Sequence, residues 1–271
     1  MTKIDLFESA TQNLNLYNKE EEHKITYPSV LTFVNDKSNI SINLNDFALF
    51  SFLKAGEYIN INQLYEDEKK PKEYKLKSYF KPRSVFENHF NLGDLFKYAA
   101  LNLGTMGLSK FGKYCLVFSI NNSNFSKNNS CFLKHDSLLK QNGNFYYFKD
   151  EDTLDLDLIL SDLAALFSFN ILVIEKHKTE LNKIKSKDLP TLICNSKDNT
   201  YIEFITTGMI LRDNLVSLRI NESDYNSYLD EIVEAYSENE GFSKIDESLL
   251  IINMIFDLIK EHKINTEVLY A

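Results

Sequence analysis

The run TLDLDLILSDLAALFSFNILVIEKH, from Thr153 to His177, is the most apolar part of the chain and makes the strongest demand on the fold. In its first half, Leu156, Ile159, Leu160, Leu163, Ala164, Leu166 and Phe167 cover more than half of a helical circumference. Only a helix buried on several sides satisfies that pattern. Asp152 or Thr153 stands where it can cap this helix, and Asp155 and Asp157 fall in its first turn, where carboxylates meet the positive end of the helix dipole. After Asn170 the run ILVI loses the helical period and reads as a buried central strand. Such a segment needs other elements on both faces, so a layered core must form around it.

The remaining chain supplies those layers. At 271 residues and 44% apolar content it is long enough to bury one large core or two small ones. Residues 3–18 read as an amphipathic helix, SVLTFVND after Tyr27-Pro28 as a strand, and Asn39–Leu44 as an alternating strand. Asn45 or Asp46 caps a helix, DFALFSFLKAG, that Gly56 ends. From Ser84 to Leu103 the apolar positions recur with helical spacing, and Lys113–Ile120, Phe145–Phe148, Thr191–Cys194, Thr200–Thr206 and Leu215–Ile220 read as strands. Ser223–Tyr236 and Ser243–His262 read as helices. The expected class is α+β: a mixed or antiparallel central sheet packed with several helices, a helical N-terminal part and two C-terminal helices. Residues 1–83 form a mainly helical N-terminal region ending in a polar, basic connector, and residues 84–271 an α+β core, unless the two are one continuous domain.

Charge and cysteine usage narrow the function classes. With a formal net charge of −9, the chain repels phosphate backbones and anionic membranes, so nucleic acid is a disfavoured partner. Cys115, Cys131 and Cys194 are odd in number and widely spaced, which argues for free thiols in a reducing compartment and against a disulfide framework or zinc ribbon. The N-terminus carries no secretory signal pattern, and no window of about 18 apolar residues exists to span a membrane. The expected compartment is the cytoplasm.

Candidate chemistry is sparse. Lys69 to Arg83, including Lys75, Lys77, Lys81 and Arg83, interleaves basic residues with Tyr74, Tyr79 and Phe80, the composition of a single-stranded nucleic-acid groove or of a solvated connector. GTMGLSKFG lacks the spacing of a phosphate loop and follows a helical pattern. Glu175-Lys176-His177 ends the ILVI run like a nuclease E-x-K strand, but His177 stands where the lysine belongs. In His135-Asp136, the aspartate is placed to cap a short helix over DSLLKQ, and the five histidines show no metal spacing. No metal site and no cofactor are expected.

Glu203 lies mid-strand in TYIEFITTGMI; if Ile202 and Phe204 face the core, Glu203 faces a cleft on the other side. The segment from Glu203 through Leu218 and Ile220 into the next helix, together with FGKYCLVF at 111–118, resembles parts of ADP-ribosyltransferase-like toxins and of some abortive-infection proteins. The resemblance implies a strand glutamate that stabilises an oxocarbenium-like ribose as nicotinamide leaves, with Glu203 as the catalytic acid. The chain has no Ser-Thr-Ser and no early-strand Arg or His to complete that pattern. The last helix carries more apolar surface than one interface uses, with Leu250, Met254 and Leu258 besides its core positions. It packs against the 153–167 helix or joins a protein partner or a second copy of the chain. The leading expectation is a non-catalytic interaction protein within a larger assembly or a phage–host or pathogen system; the alternative is a transferase using Glu203.

Overall fold

A computed structural model of the chain describes residues 5–60, 80–90, 95–183, 188–193, 201–237 and 247–270. Its central sheet is built from β1 (Asn39–Leu44), β2 (Lys97–Asn102), β3 (Tyr114–Ser119), β4 (Ser130–Leu133), β9 (Leu163–Ala165), β10 (Glu203–Thr206), β11 (Leu215–Asn221) and β12 (Thr266–Leu269). Four short strands, β5 (Lys140–Gln141), β6 (Asn144–Phe145), β7 (Phe148–Asp150) and β8 (Thr153–Leu154), pair two by two outside it. Among the described residues the central sheet has 8 strands in the order β12-β11-β3-β1-β2-β10-β4-β9. The pairs are antiparallel except for β11 with β12. This mixed sheet with its helices is the α+β class expected from the sequence.

The period of two in β1 sets the two faces of the sheet. Ile40, Ile42 and Leu44 face the principal core, opposite Leu101, Phe118, Leu116 and Tyr114. Ser41 and Asn43 face the other way. The first face is covered by α4 (Pro28–Lys37), α5 (Asp46–Ala55), α8 (Phe169–Leu181), α10 (Glu222–Ser237) and α11 (Glu247–Glu261), which contribute Val34, Phe52, Ile174, Tyr228 and Ile255 to that core. The second face is covered at its β4–β9 end by α1 (Leu6–Thr11), α6 (Phe80–His89) and α7 (Leu156–Asp162), around a smaller core of Phe7, Phe86, Ile159, Leu133 and Ile205. The short helices α2 (Leu14–Tyr17), α3 (Glu20–Thr26) and α9 (Leu189–Ile193), with single 3-10 turns at Ser109–Phe111 and Arg212–Asn214, complete the described elements.

Several local readings are corrected. SVLTFVND is not a strand: Pro28 takes the first turn of α4, where its missing N–H costs nothing, and Val30, Leu31 and Val34 form the buried helical face. The helical spacing from Ser84 to Leu103 breaks, because α6 ends at His89 and Ala99, Ala100 and Leu101 belong to β2. The 153–177 run is inverted. Asp155 caps only the short α7, Leu163–Ala165 is an edge strand, and ILVI lies in α8, where burial on nearly every side erases the period that separates helix from strand. Thr191 and Leu192 are helical, the 3–18 helix is divided between α1 and α2, and Asp136 makes a turn through its bond from the Leu138 N–H, 2.8 Å. The last helix packs on α5. As expected, Asn45 caps α5 through the Ala48 N–H, and Gly56 ends it in the left-handed conformation at φ 80°. Cys115 and Cys131 are buried thiols outside any disulfide among the described residues; Cys194 lies outside those residues. No helix among the described residues is long and apolar enough to cross a membrane.

Asn43 fastens the β2–β3 loop onto the second face. Its Nδ2 donates to the Met106 and Gly112 carbonyls at 2.9 and 3.0 Å, and its Oδ1 accepts from the Leu108 N–H at 2.7 Å. The loop lies so close that a Cβ on Gly112 would stand 2.1 Å from the Leu44 carbonyl carbon. Losing three largely buried hydrogen bonds in Asn43→Ala should cost about 2–4 kcal/mol, read as a lower urea midpoint with an unchanged slope.

Candidate functional site

Between that loop, α6 and the sheet lies a cleft of about 340 Å³. Its floor is polar-face sheet: Ser41 from β1, Tyr98 and Ala100 from β2, and Glu203 from β10. Glu203 stands opposite Ala100 on one side and Leu133 on the other, while its neighbours Ile202 and Phe204 enter the principal core. The small side chain of Ala100 leaves the space above the floor open, and Tyr58, Leu108, Phe111 and Tyr201 wall it.

Glu203 is 2% exposed, yet its carboxyl is held by specific partners. The Ser137 N–H donates to Oε2 at 2.9 Å, and Arg83 Nη2 lies 3.8 Å from Oε1. Arg83 is fixed in turn: Nη1 donates to Ser137 Oγ at 2.7 Å and the guanidinium lies 3.8 Å over the Tyr98 ring. The Tyr98 hydroxyl donates to Glu87 Oε1 at 3.1 Å. The Tyr201 ring meets Phe111 edge-on at 6.4 Å, and burial, with Asp136 nearby, raises its hydroxyl well above the usual range. Lys110 Nζ stands 5.3 Å from the Tyr201 ring and 4.9 Å from Phe111 at the cleft wall.

The electrostatics follow from burial. Burial pushes Glu203 up to about 7; Arg83 opposes the shift, Asp136 adds to it, and the Ser137 N–H opposes it. Lys176 reaches from α8 to the strand ends, donating to the Tyr201 carbonyl at 2.6 Å and to the Lys134 carbonyl, and burial brings it down to about 7. His135 and His177 are lowered to about 3 by burial and by the charges of Lys176 and Lys134, so both imidazoles are neutral at physiological pH. Glu203 is thus the buried carboxyl at this site that changes charge near pH 7, as an acid–base or charge-stabilising group does.

The remaining candidates lie elsewhere. Lys81 is surface-exposed and paired with Asp152 at 2.9 Å and Glu151 at 3.5 Å, whereas Arg83, two residues on, turns inward to Glu203; Lys75 and Lys77 lie outside the described residues. Glu175 joins Lys19 and His23, tying α3 to α8. Leu250 and Met254 are exposed on α11, and Leu258 is half-buried against the principal core. Among the described residues, no group of three or more His, Cys, Asp or Glu side chains is arranged to hold a metal ion. Sequence reading missed Arg83, Ser137, Tyr98 and Tyr201 as neighbours of Glu203. The spacing Tyr201-x-Glu203 signals a shared strand face, but nothing local joins Arg83 to a residue 120 positions away.

Comparison with known proteins finds no match: no family model, no curated protein and no solved structure aligns with the chain.

The folded state retains a proton on Glu203 that the unfolded chain releases above about 4.5. This group's contribution to stability is therefore complete below that pH, falls between about 4.5 and about 7, and is lost above. Relative to wild type, Glu203→Gln should gain on the order of 2–3 kcal/mol between pH 5 and pH 8, measured as unfolding free energies in denaturant.

Proposed function

We propose that this chain is a group-transfer enzyme working in the Glu203 cleft on an N-glycosidic ribosyl donor of the NAD type. The observation that carries the reading is a carboxyl almost closed off from solvent, poised near neutrality, at the floor of an aromatic-walled cleft large enough for a nucleoside-sized group. The resemblance around Glu203 and at residues 111–118 points the same way. As the ribosyl C–N bond breaks and the base departs with its electron pair, ionised Glu203 would stabilise the positive charge growing on the sugar, whose anomeric carbon then bonds to water, or to an acceptor nucleophile, that gives up its proton to solvent. Arg83 and the Ser137 N–H favour that ionised form and hold it in one orientation. Phe111 and Tyr201 offer ring faces and edges to a base, and Lys110 a cation to a phosphate. The buried thiols Cys115 and Cys131 are compatible with a reducing, cytoplasmic setting.

Incubation with NAD should release nicotinamide, at a rate that rises with pH through about 7 as Glu203 ionises. Glu203→Gln should lower the rate by at least about 100-fold, on the scale of losing one transition-state charge contact. Equal rates in the two proteins, or no turnover in either, would overturn the reading.

A second reading, a protein that works by association within a larger assembly, such as a phage–host or pathogen system, rests on a different surface. On α11, Ile251, Ile252, Ile255 and Ile259 are buried, while Leu250 at 53% and Met254 at 40% exposure remain outside the core. Val233 at 66% and Leu229 at 43% stand exposed on the adjoining α10. The partner under this reading is another protein or a second copy of the chain. Leu250→Glu with Met254→Glu, sparing half-buried Leu258, should leave the melting temperature within a few degrees and abolish association in sedimentation and pull-down from the native cell. Identical association by wild type and variant would remove this reading.

A further inference from the structure

A second cavity, of about 510 Å³, lies away from the Glu203 cleft, between the start of α6 and the two small hairpins. The β5–β6 hairpin turns through Asn142 at φ 51° and Gly143 at φ 88°, the two successive left-handed residues of a tight type I′ turn. That turn sets Lys140 beside its cross-strand partner Phe145, with Nζ 4.7 Å from the ring centroid. Phe148, on the next hairpin, lies 5.6 Å from Phe145 with the ring planes 53° apart. Phe148 is held by packing on the smaller core. Phe145, among the described residues, belongs to no core cluster and stays half-exposed at the cavity.

Three lysines line the same space: Lys81, Lys140 and Lys149. They are not equivalent. Lys81 is already neutralised by Asp152 and Glu151, whereas among the described residues Lys149 has one long ion-pair contact, 3.9 Å, with Asp155. The Asp150 carboxylate is turned into its own loop, accepting the Asp152 N–H at 2.9 Å. Half-exposed Phe145, packed against the Phe148 ring and the Lys140 ammonium, therefore lines one cavity with two exposed ammonium groups, Lys140 and Lys149.

We propose that this cavity binds a nucleotide unit, with the base stacked on Phe145 and the phosphate held by Lys140 and Lys149. Ring stacking accepts any base, and ammonium groups accept the phosphate oxygens without fixed geometry. The net charge of −9 repels a long polyanion, so the site suits a single nucleotide or a short stretch of single strand rather than a tracked backbone. An acidic peptide satisfies the lysines but leaves the Phe145 face unused.

Fluorescence anisotropy with a labelled five-nucleotide single strand, and competition by unlabelled AMP, separates the two sources of the unit. Binding of the strand, of AMP or of both is expected, with Phe145→Ala weakening it by at least about fivefold, the low end of one stacked base. Phe145→Leu keeps an apolar side chain and the wild-type melting temperature, and should weaken binding to a similar degree. Lys140→Glu with Lys149→Glu should also weaken it and flatten the salt dependence by about one phosphate contact or more. Phe145, Lys140 and Lys149 line this cavity and not the Glu203 cleft, so weakening by their variants assigns the binding to this site. No binding of either probe by wild type, or wild-type affinity in both Phe145 variants, would overturn the proposal.

Discussion

Pairing of β10 with β2 on one side and β4 on the other determines where Glu203 points, and much of the molecule depends on that register. A slip of one residue in either ladder would send Glu203 into the principal core and Phe204 into the cleft. The register is protected because the Phe204 and Phe132 rings pack at 5.1 Å, tilted by 54°, on the apolar face, with Phe125 edge-on to Phe204 at 5.1 Å. The aromatic packing on one face thereby holds a carboxyl on the other, where burial alone would expel it.

A buried Arg–carboxylate arrangement is a poor source of stability, since the desolvation of two ions offsets most of their attraction. At 3.8 Å the contact between Arg83 and Glu203 is looser than a bidentate pair. Arg83 is held more closely by the Tyr98 ring and Ser137 than by the carboxylate, so its position does not depend on Glu203 being ionised. That is the arrangement expected where a glutamate must change charge while its surroundings stay in place, and it underlies the catalytic reading.

The three surfaces considered are built from different parts of the fold. The Glu203 cleft occupies the polar face of the sheet under a loop that Asn43 holds down. The lysine–phenylalanine cavity sits on small hairpins outside the sheet, and the exposed leucine and methionine of α11 lie on the helical layer over the opposite face. Changes at one surface therefore leave the packing of the others largely undisturbed.

Where one face of an element is buried and one is open, its amino-acid order was enough. Asn39–Leu44 and Tyr114–Ser119 were legible as strands, α5 by its Asn45 cap and Gly56 stop, and Glu203 as a strand residue on the side opposite Phe204. The Asn142-Gly143 hairpin was also written in the chain and went unread. Where residues are buried on every side, as ILVI is in α8, hydrophobicity carries no period and helix and strand look alike. The break between α6 and β2 was hidden for a related reason, because Phe86, Phe90 and Phe96 all enter one small core and so mimic a single helical stripe. The candidate site was half legible. The glutamate and Tyr201 stand two residues apart at the start of β10, but Arg83, Tyr98 and Ser137 reach the site only through strand pairing and helix packing across distant segments. Sequence by itself determined the alternation that turns Glu203 away from the core. Tertiary structure alone decided what surrounds it, because the closeness of Arg83 and the low-polarity walls that raise its proton affinity are properties of segments far apart in the chain.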